Sequence, residues 1–155
     1  MAVRVQRDDF DVGAEVAQLG RGVGVGAVCV FVGLVRDLNE GRPVSAMTLE
    51  HYPGMTEREL ARVEQEARDR WPLLDTLVVH RYGRLEPADR IVLVAVASAH
   101  RDAAFDACRF LIDWLKTKAP LWKAEETDAG RRWVAARAED DAAAAAWLTG
   151  ARNAG

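Results

Sequence analysis

The order of the apolar runs limits the folds open to this chain more than any other feature. Val3 to Gln6, Ala27 to Val35, Val44 to Tyr52, Thr76 to Tyr82 and Arg90 to Ala97 read as strands. The run from Ala27 is too rich in β-branched residues to make a good helix. Val12 to Leu19, the segment after Thr56 and Asp102 to Lys116 keep helical spacing instead. Leu121 to Glu126 and Arg131 to Val134 form two short strands around Asp128-Ala-Gly130, and the Ala-rich stretch Glu139 to Leu148 is helical. Consecutive strands joined by short turns alternate with single helices. That order predicts an α+β fold with a mixed, mostly antiparallel sheet and three to four helices, not a doubly wound parallel sheet. Val44 to Tyr52 is expected beside Ala27 to Val35, across the loop Asp37 to Pro43, and Gly83 and Pro87 mark the turn after Tyr82.

Two helices carry local detail. Thr56 followed by Glu59 is a capping-box signature. The helix it opens has Leu60, Val63, Ala67 and Trp71 on one side, Glu64–Arg68 and Glu66–Arg70 as outward pairs, and Pro72 as its stop. In the Asp102 to Lys116 helix, Phe105, Cys108, Leu111, Ile112 and Leu115 share a stripe expected to face the core.

A chain of 155 residues, half of them hydrophobic, has the length of one domain. At this size folding buries ~68–70 % of the unfolded surface, so no disulfide staple is needed. Residues 1–150 read as a single catalytic domain and 151–155 as a frayed tail. Cys29 and Cys108 read as small buried hydrophobes, a usage that suits a reducing cytoplasm. A net charge of −3 argues against general binding to nucleic acid or anionic membrane. No apolar run is long enough to span a bilayer, and the first residues lack a signal core. A soluble cytoplasmic protein is expected.

The chemistry concentrates in Leu115-Lys-Thr-Lys-Ala-Pro-Leu-Trp-Lys-Ala-Glu125. Pro120 stops the preceding helix, so Lys116, Lys118 and Lys123 gather around a break. Cations crowded together and partly buried disfavour one another's charge, which is how a lysine becomes a base or nucleophile near neutral pH. The competing reading is a solvated helix end, where cations favour the dipole. Glu125 lies on the same strand face as Lys123, to pair with it or to orient a substrate. His100-Arg101 opens a helix, where N–H groups and a guanidinium suit a phosphate. Arg36 ends a strand and either clamps an anion or is solvated. His51 and His80 lie in strand patterns and read as structural. No H-x-x-x-H or C-x-x-C spacing supports a zinc site. The glycines of Gly22-Val-Gly-Val-Gly26 precede a strand, the wrong context for a dinucleotide loop, and read as a flexible loop.

Four segments, in order, carry a resemblance: Phe31-Val-Gly-Leu-Val-Arg36, Leu49-Glu-His-Tyr-Pro-Gly-Met55 (with Arg70-Trp-Pro72 after it), Ser98-Ala-His-Arg101 and Leu115 to Glu125. Together they resemble the catalytic (large) subunit of molybdopterin synthase, from about Phe10 to Trp147. The resemblance implies an α/β hammerhead-type fold. It implies sulfur transfer from the C-terminal Gly-Gly thiocarboxylate of a small ubiquitin-like subunit to cyclic pyranopterin monophosphate, forming the dithiolene of molybdopterin. It implies a homodimer within a heterotetramer, and no cofactor. By motif, Lys116 and Lys123 match the catalytic lysines. Arg36, His100 and Arg101 match substrate contacts, Ala124 and Glu125 fall in the binding stretch, and Arg137 matches an arginine near the pocket. Leu34, Leu121 and Lys118 depart from the family pattern, which puts in doubt a side-chain role at position 34.

Two other readings stay open from the residues: a phosphate-binding module without chemistry, and a dimerisation module with solvated lysines. A pure binder has no need of a desolvated lysine pair, so Lys116 and Lys123 separate the readings.

Overall fold

The computed structural model describes residues 2–134 and 138–148. The strands are β1 (Ala2–Gln6), β2 (Ala27–Leu34), β3 (Leu38–Asn39), β4 (Arg42–His51), β5 (Leu73–Arg81), β6 (Gly83–Leu85), β7 (Arg90–Ser98), β8 (Leu121–Thr127) and β9 (Gly130–Val134). The helices are α1 (Val12–Leu19), α2 (Met55–Arg70), α3 (Arg101–Thr117) and α4 (Ala138–Leu148). The fold is α+β, as the order of segments predicts. Among the described residues no helix is long and apolar enough to cross a membrane.

The first sheet has the order β1-β5-β7-β2, with β1 parallel to β5 and the other pairs antiparallel. Its central strands are apolar on both faces because both faces are covered. Leu77, Val79, Leu93, Ala95 and Ala97 pack with Phe10 and with Leu19 of α1. Val78, Val92, Val94 and Val96 pack with Leu60 and Val63 of α2 and with Cys108, Phe110 and Leu111 of α3. Trp147 of α4 joins this second core, its ring 5.5 Å from Phe110 and 5.4 Å from Trp71, and its Nε1 donates to Asp113 at 2.6 Å. The second sheet has the order β3-β4-β8-β9, with β6 also paired to β4.

Several expectations are corrected. β4 does not lie beside β2. β2 pairs with β7 from Ala27↔Ser98 to Leu34↔Arg90, and β4 pairs with β8. The cause is a tight hairpin in the intervening loop. Glu40 and Gly41 take φ values of 51° and 75°, so β4 folds back on β3 and leaves the first sheet. Three residues of the turn after Tyr82 form β6, beginning at Gly83 with φ 95°. Phe105 is 61 % exposed, and the buried side of α3 is Ala104, Ala107, Cys108, Phe110, Leu111 and Trp114, with Ile112 and Leu115 packed at its margin. The stripe is rotated because α3 packs against the sheet on one side and against α2 and α4 on others. Glu64 is not on the outer face of α2. It is 2 % exposed and accepts a hydrogen bond from Thr76 Oγ1, and burial raises its pKa. Glu66–Arg70 does form, at 2.8 Å.

The capping signal is also displaced. The residue N-terminal to α2 is Gly54, whose N–H donates to Glu57 at 2.6 Å. Thr56 is fully buried. Its hydroxyl accepts from the Tyr52 N–H and donates to the Pro120 carbonyl, both at 3.0 Å. One side chain thus ties the start of α2 to the break after α3. Thr56→Val keeps the volume but leaves two backbone groups without this partner. Urea denaturation should show a loss of ~1–3 kcal/mol, with faster amide exchange around residues 119–121.

Candidate active site

Helix α3 leaves the Ser98 end of β7 and runs back along the same sheet, so Lys116 in its last turn reaches the sheet's other end. Pro120 then forces an extended segment, which Thr56 holds by the Pro120 carbonyl. β8 follows, and Lys123 stands opposite Leu49 of β4. Directly opposed residues point to one side of a sheet. Leu49 is 1 % exposed and belongs to the core under α2 and α3, so Lys123 rises on the face turned towards that core. Lys116 and Lys123 are both half-buried.

Between these elements lies a group that the sequence reading treats as structural. His80 is two residues beyond Val78 on β5, and so on the same inner face. It is 6 % exposed, and burial lowers its pKa from 6.5 to about 4. The charges of Lys123, Lys116 and His51 push the same way, and a hydrogen bond to the Arg81 carbonyl opposes them. That bond joins Nδ1 to the carbonyl at 2.8 Å. A carbonyl only accepts, so Nδ1 carries the proton and Nε2 is left with a lone pair. His51, on the Leu49 face of β4, packs its ring 4.1 Å from that of Tyr82, and its Nε2 is 3.9 Å from Glu57. Lys116, Lys123, His80, His51 and Tyr82 thus meet where the two sheets adjoin.

The other expected site residues are distributed differently. Glu125 is buried, with both carboxylate oxygens accepting from Asn39 Nδ2 at 2.9 and 3.1 Å, and Arg132 at 3.7 Å. Ala124 is buried and alternates to the opposite sheet face from Lys123. Arg36 is exposed just beyond β2, at the Leu34↔Arg90 end of the first sheet. His100 and Arg101 are exposed at the start of α3, one helix length from Lys116. Arg137 and the tail 151–155 lie outside the described residues. Gly22 to Gly26 is a loop leading into β2, where a Cβ on Gly26 would meet the Ala99 carbonyl oxygen at 2.2 Å.

Known proteins resemble this chain in sequence and fold. A family model described as MoaE protein matches residues 5–118. The chain belongs to the MoaE protein family. A molybdopterin synthase catalytic subunit from Pseudomonas aeruginosa is 57 % identical over 148 residues, 95 % of this chain and 99 % of that one. A molybdopterin biosynthesis MoaE protein from Burkholderia ambifaria superposes with a TM-score of 0.81 at 55 % identity, over 96 % of this chain and 99 % of that one. The molybdopterin synthase of Staphylococcus aureus does so with a TM-score of 0.80 at 32 % identity, over 85 % and 96 %. The MoaE match begins in β1 and ends within the lysine-bearing break after α3.

His80 gives this site an acid limit. Its folded pKa lies below its ordinary value, so the unfolded chain binds the proton more tightly. The stability due to the neutral imidazole is fully present above about pH 6.5 and is lost as pH falls towards 4. Compared with His80→Gln, the wild-type protein should lose on the order of 2 kcal/mol more on going from neutral pH to about pH 4.5. Urea midpoints of both proteins at the two pH values measure this.

Proposed function

We propose that this chain is the catalytic subunit of a cytoplasmic molybdopterin synthase. It transfers sulfur from the C-terminal thiocarboxylate of a small ubiquitin-like subunit to cyclic pyranopterin monophosphate. The observation that carries this reading is the convergence of Lys116 and Lys123 beside a buried neutral imidazole, in a chain whose relatives bear that name. The site offers amines and positive charge to anionic reactants. An amine attacks or takes a proton, and the paired cation steadies the charge that develops. The cysteines support an external sulfur source. Cys108 is buried, and burial, followed by Cys29 beside it, pushes its thiol up, away from the thiolate that a persulfide carrier needs.

Incubation with thiocarboxylated small subunit and cyclic pyranopterin monophosphate, read as fluorescent oxidised pterin, tests the activity. Lys116→Ala and Lys123→Ala should each lower the rate by ~10²-fold or more while the fold survives. A folded Lys116→Ala protein at the wild-type rate would remove that lysine from the mechanism.

The active unit in this proposal is a homodimer within a heterotetramer, with each pocket shared between two chains. Support comes from α3, along which Arg101 and Lys116 are separated by roughly 22 Å, too far for one compact pterin phosphate. β2 is the outer strand of its sheet and runs from the His100 end to the Arg36 end, with Leu34 51 % exposed. Two copies related by a two-fold axis bring the far end of one helix to the near end of the other. Lys116→Ala and Arg101→Ala chains mixed under exchange should then regain activity above either homodimer, because one pocket of the heterodimer stays intact. Exchange without recovery would refute the shared pocket.

A further inference from the structure

We propose that Asn39 is a positioning residue of this site: its side-chain amide clasps Glu125, and so holds the hairpin that aims Arg36 against the strand that carries Lys123. The inference rests on the reading that Arg36 contacts the pterin phosphate. The first support is the path of the chain. Arg36 is the single residue between two anchored ones. Val35 is tied to the turn before β7, its N–H donating to the Asp89 carbonyl and its carbonyl accepting from the Ala88 N–H, both at 2.9 Å. The Asp37 carbonyl accepts from the Val44 N–H at 2.8 Å and closes the base of the β3–β4 hairpin. Val35 thus belongs to the first sheet and Asp37 to the hairpin, and the aim of Arg36 follows where the hairpin lies.

The second support is that this hairpin is folded over and not laid flat. Asn39 pairs with Arg42, five residues before Met47, the β4 partner of Glu125. In a flat sheet five residues span about 16 Å. Yet Asn39 Nδ2 lies 2.9 and 3.1 Å from the two oxygens of Glu125. Glu40, in the turn, comes within 4.0 Å of Arg132, which stands opposite Glu125 on β9. The bend is made at Ser45, an extra residue between the Val44↔Thr127 and Ala46↔Glu126 pairs. The hairpin therefore lies across the sheet face that carries Glu125 and Lys123. The contact that holds it there is polar and closed from water, since Glu125 is 4 % exposed. A clasp with a purely structural task could be two apolar side chains, which cost less to desolvate. An amide fixes the carboxylate and adds no charge of its own to a pocket that receives anions.

Asn39→Ala tests this by kinetics. In the sulfur-transfer assay KM for the pterin should rise about 10-fold, the scale of one charged contact losing its aim. The kcat should change little, because Lys116 and Lys123 stay. Arg36→Ala should raise KM as well, and adding Asn39→Ala to it should raise KM little further, since the amide acts through the arginine. A merely structural role would lower the yield of folded enzyme and leave KM alone. A wild-type KM in folded Asn39→Ala overturns the proposal, and so do effects of the two substitutions that simply multiply. A substrate-free readout, amide hydrogen exchange, separates this inference from the functional reading. Asn39→Asp sets two carboxylates against each other and should speed exchange of the Val44 amide and its hairpin neighbours. Adding Glu125→Gln returns an amide–carboxylate pair with the roles exchanged and should restore protection. Exchange unchanged by Asn39→Asp, or not restored by the pair, refutes the clasp even where sulfur transfer is normal. The expected exchange pattern, with a wild-type protein that transfers no sulfur, supports the hold on the hairpin and refutes the sulfur-transfer reading instead.

Discussion

The packing of α3 against the first sheet sets every distance in the site. Val78, Val92, Val94 and Val96 present an apolar face, and Cys108, Phe110 and Leu111 close on it. Burial of several side chains of this size is worth roughly 1.5–3 kcal/mol each, far more than any single polar contact near the lysines. The helix therefore has one placement. Its start is fixed by the end of β7 and its last turn by the length of the sheet. Lys116 is presented beside His80 by hydrophobic burial, and no ion pair is needed to bring it there.

The second lysine is positioned by a different device. β8 is registered on β4, with Leu49 opposite Lys123 and His51 opposite Leu121. A slip of one residue would turn Lys123 away from the core and put Ala124 in its place. Register is secured just before the strand and within it. Thr56 holds the Pro120 carbonyl before it, and Glu125, bonded by Asn39 and opposite Arg132, anchors its middle. The short hairpin at Glu40 and Gly41 that removes β4 from the first sheet also brings Asn39 to Glu125. The same turn chemistry that misleads a strand-by-strand reading thus helps to aim the strand that carries Lys123.

This explains which parts were legible in the sequence. The elements are local, and the period of apolar residues shows them: the segments from Val3 to Val134 that read as strands lie in strands, and the three helices before Lys118 are where the spacing puts them. Lys116 and Lys123 were visible because a proline between cations is a local signal. Partners were not visible. Whether Ala27 to Leu34 pairs with β4 or β7 depends on φ values in a loop, and Thr56 looks like a cap whether it bonds its own helix or Pro120. Phe105 and Glu64 each sit about one step around their helix from the expected face, because a helix buried by several neighbours has a wider apolar arc than one stripe. His80 reads as a structural histidine because the two lysines whose charges act on it lie 36 and 43 positions later, and only the fold brings them near.

The same logic bears on where the sulfur enters. A cluster of cations is costly to assemble inside a protein, and it is stable here in part because the histidine at its centre stays neutral. Such a pocket attracts anions, and a cysteine placed in it would be drawn towards the thiolate. The two cysteines face each other across β2 and α3, under the sheet and away from the lysines, with Cys108 directed at the Val94 carbonyl at 3.9 Å. Burial keeps that thiol protonated and unreactive. The division is therefore built into the core: this chain's buried sulfur packs apart from its half-buried lysines, and in the proposed reaction a sulfur donor arrives from outside to meet them.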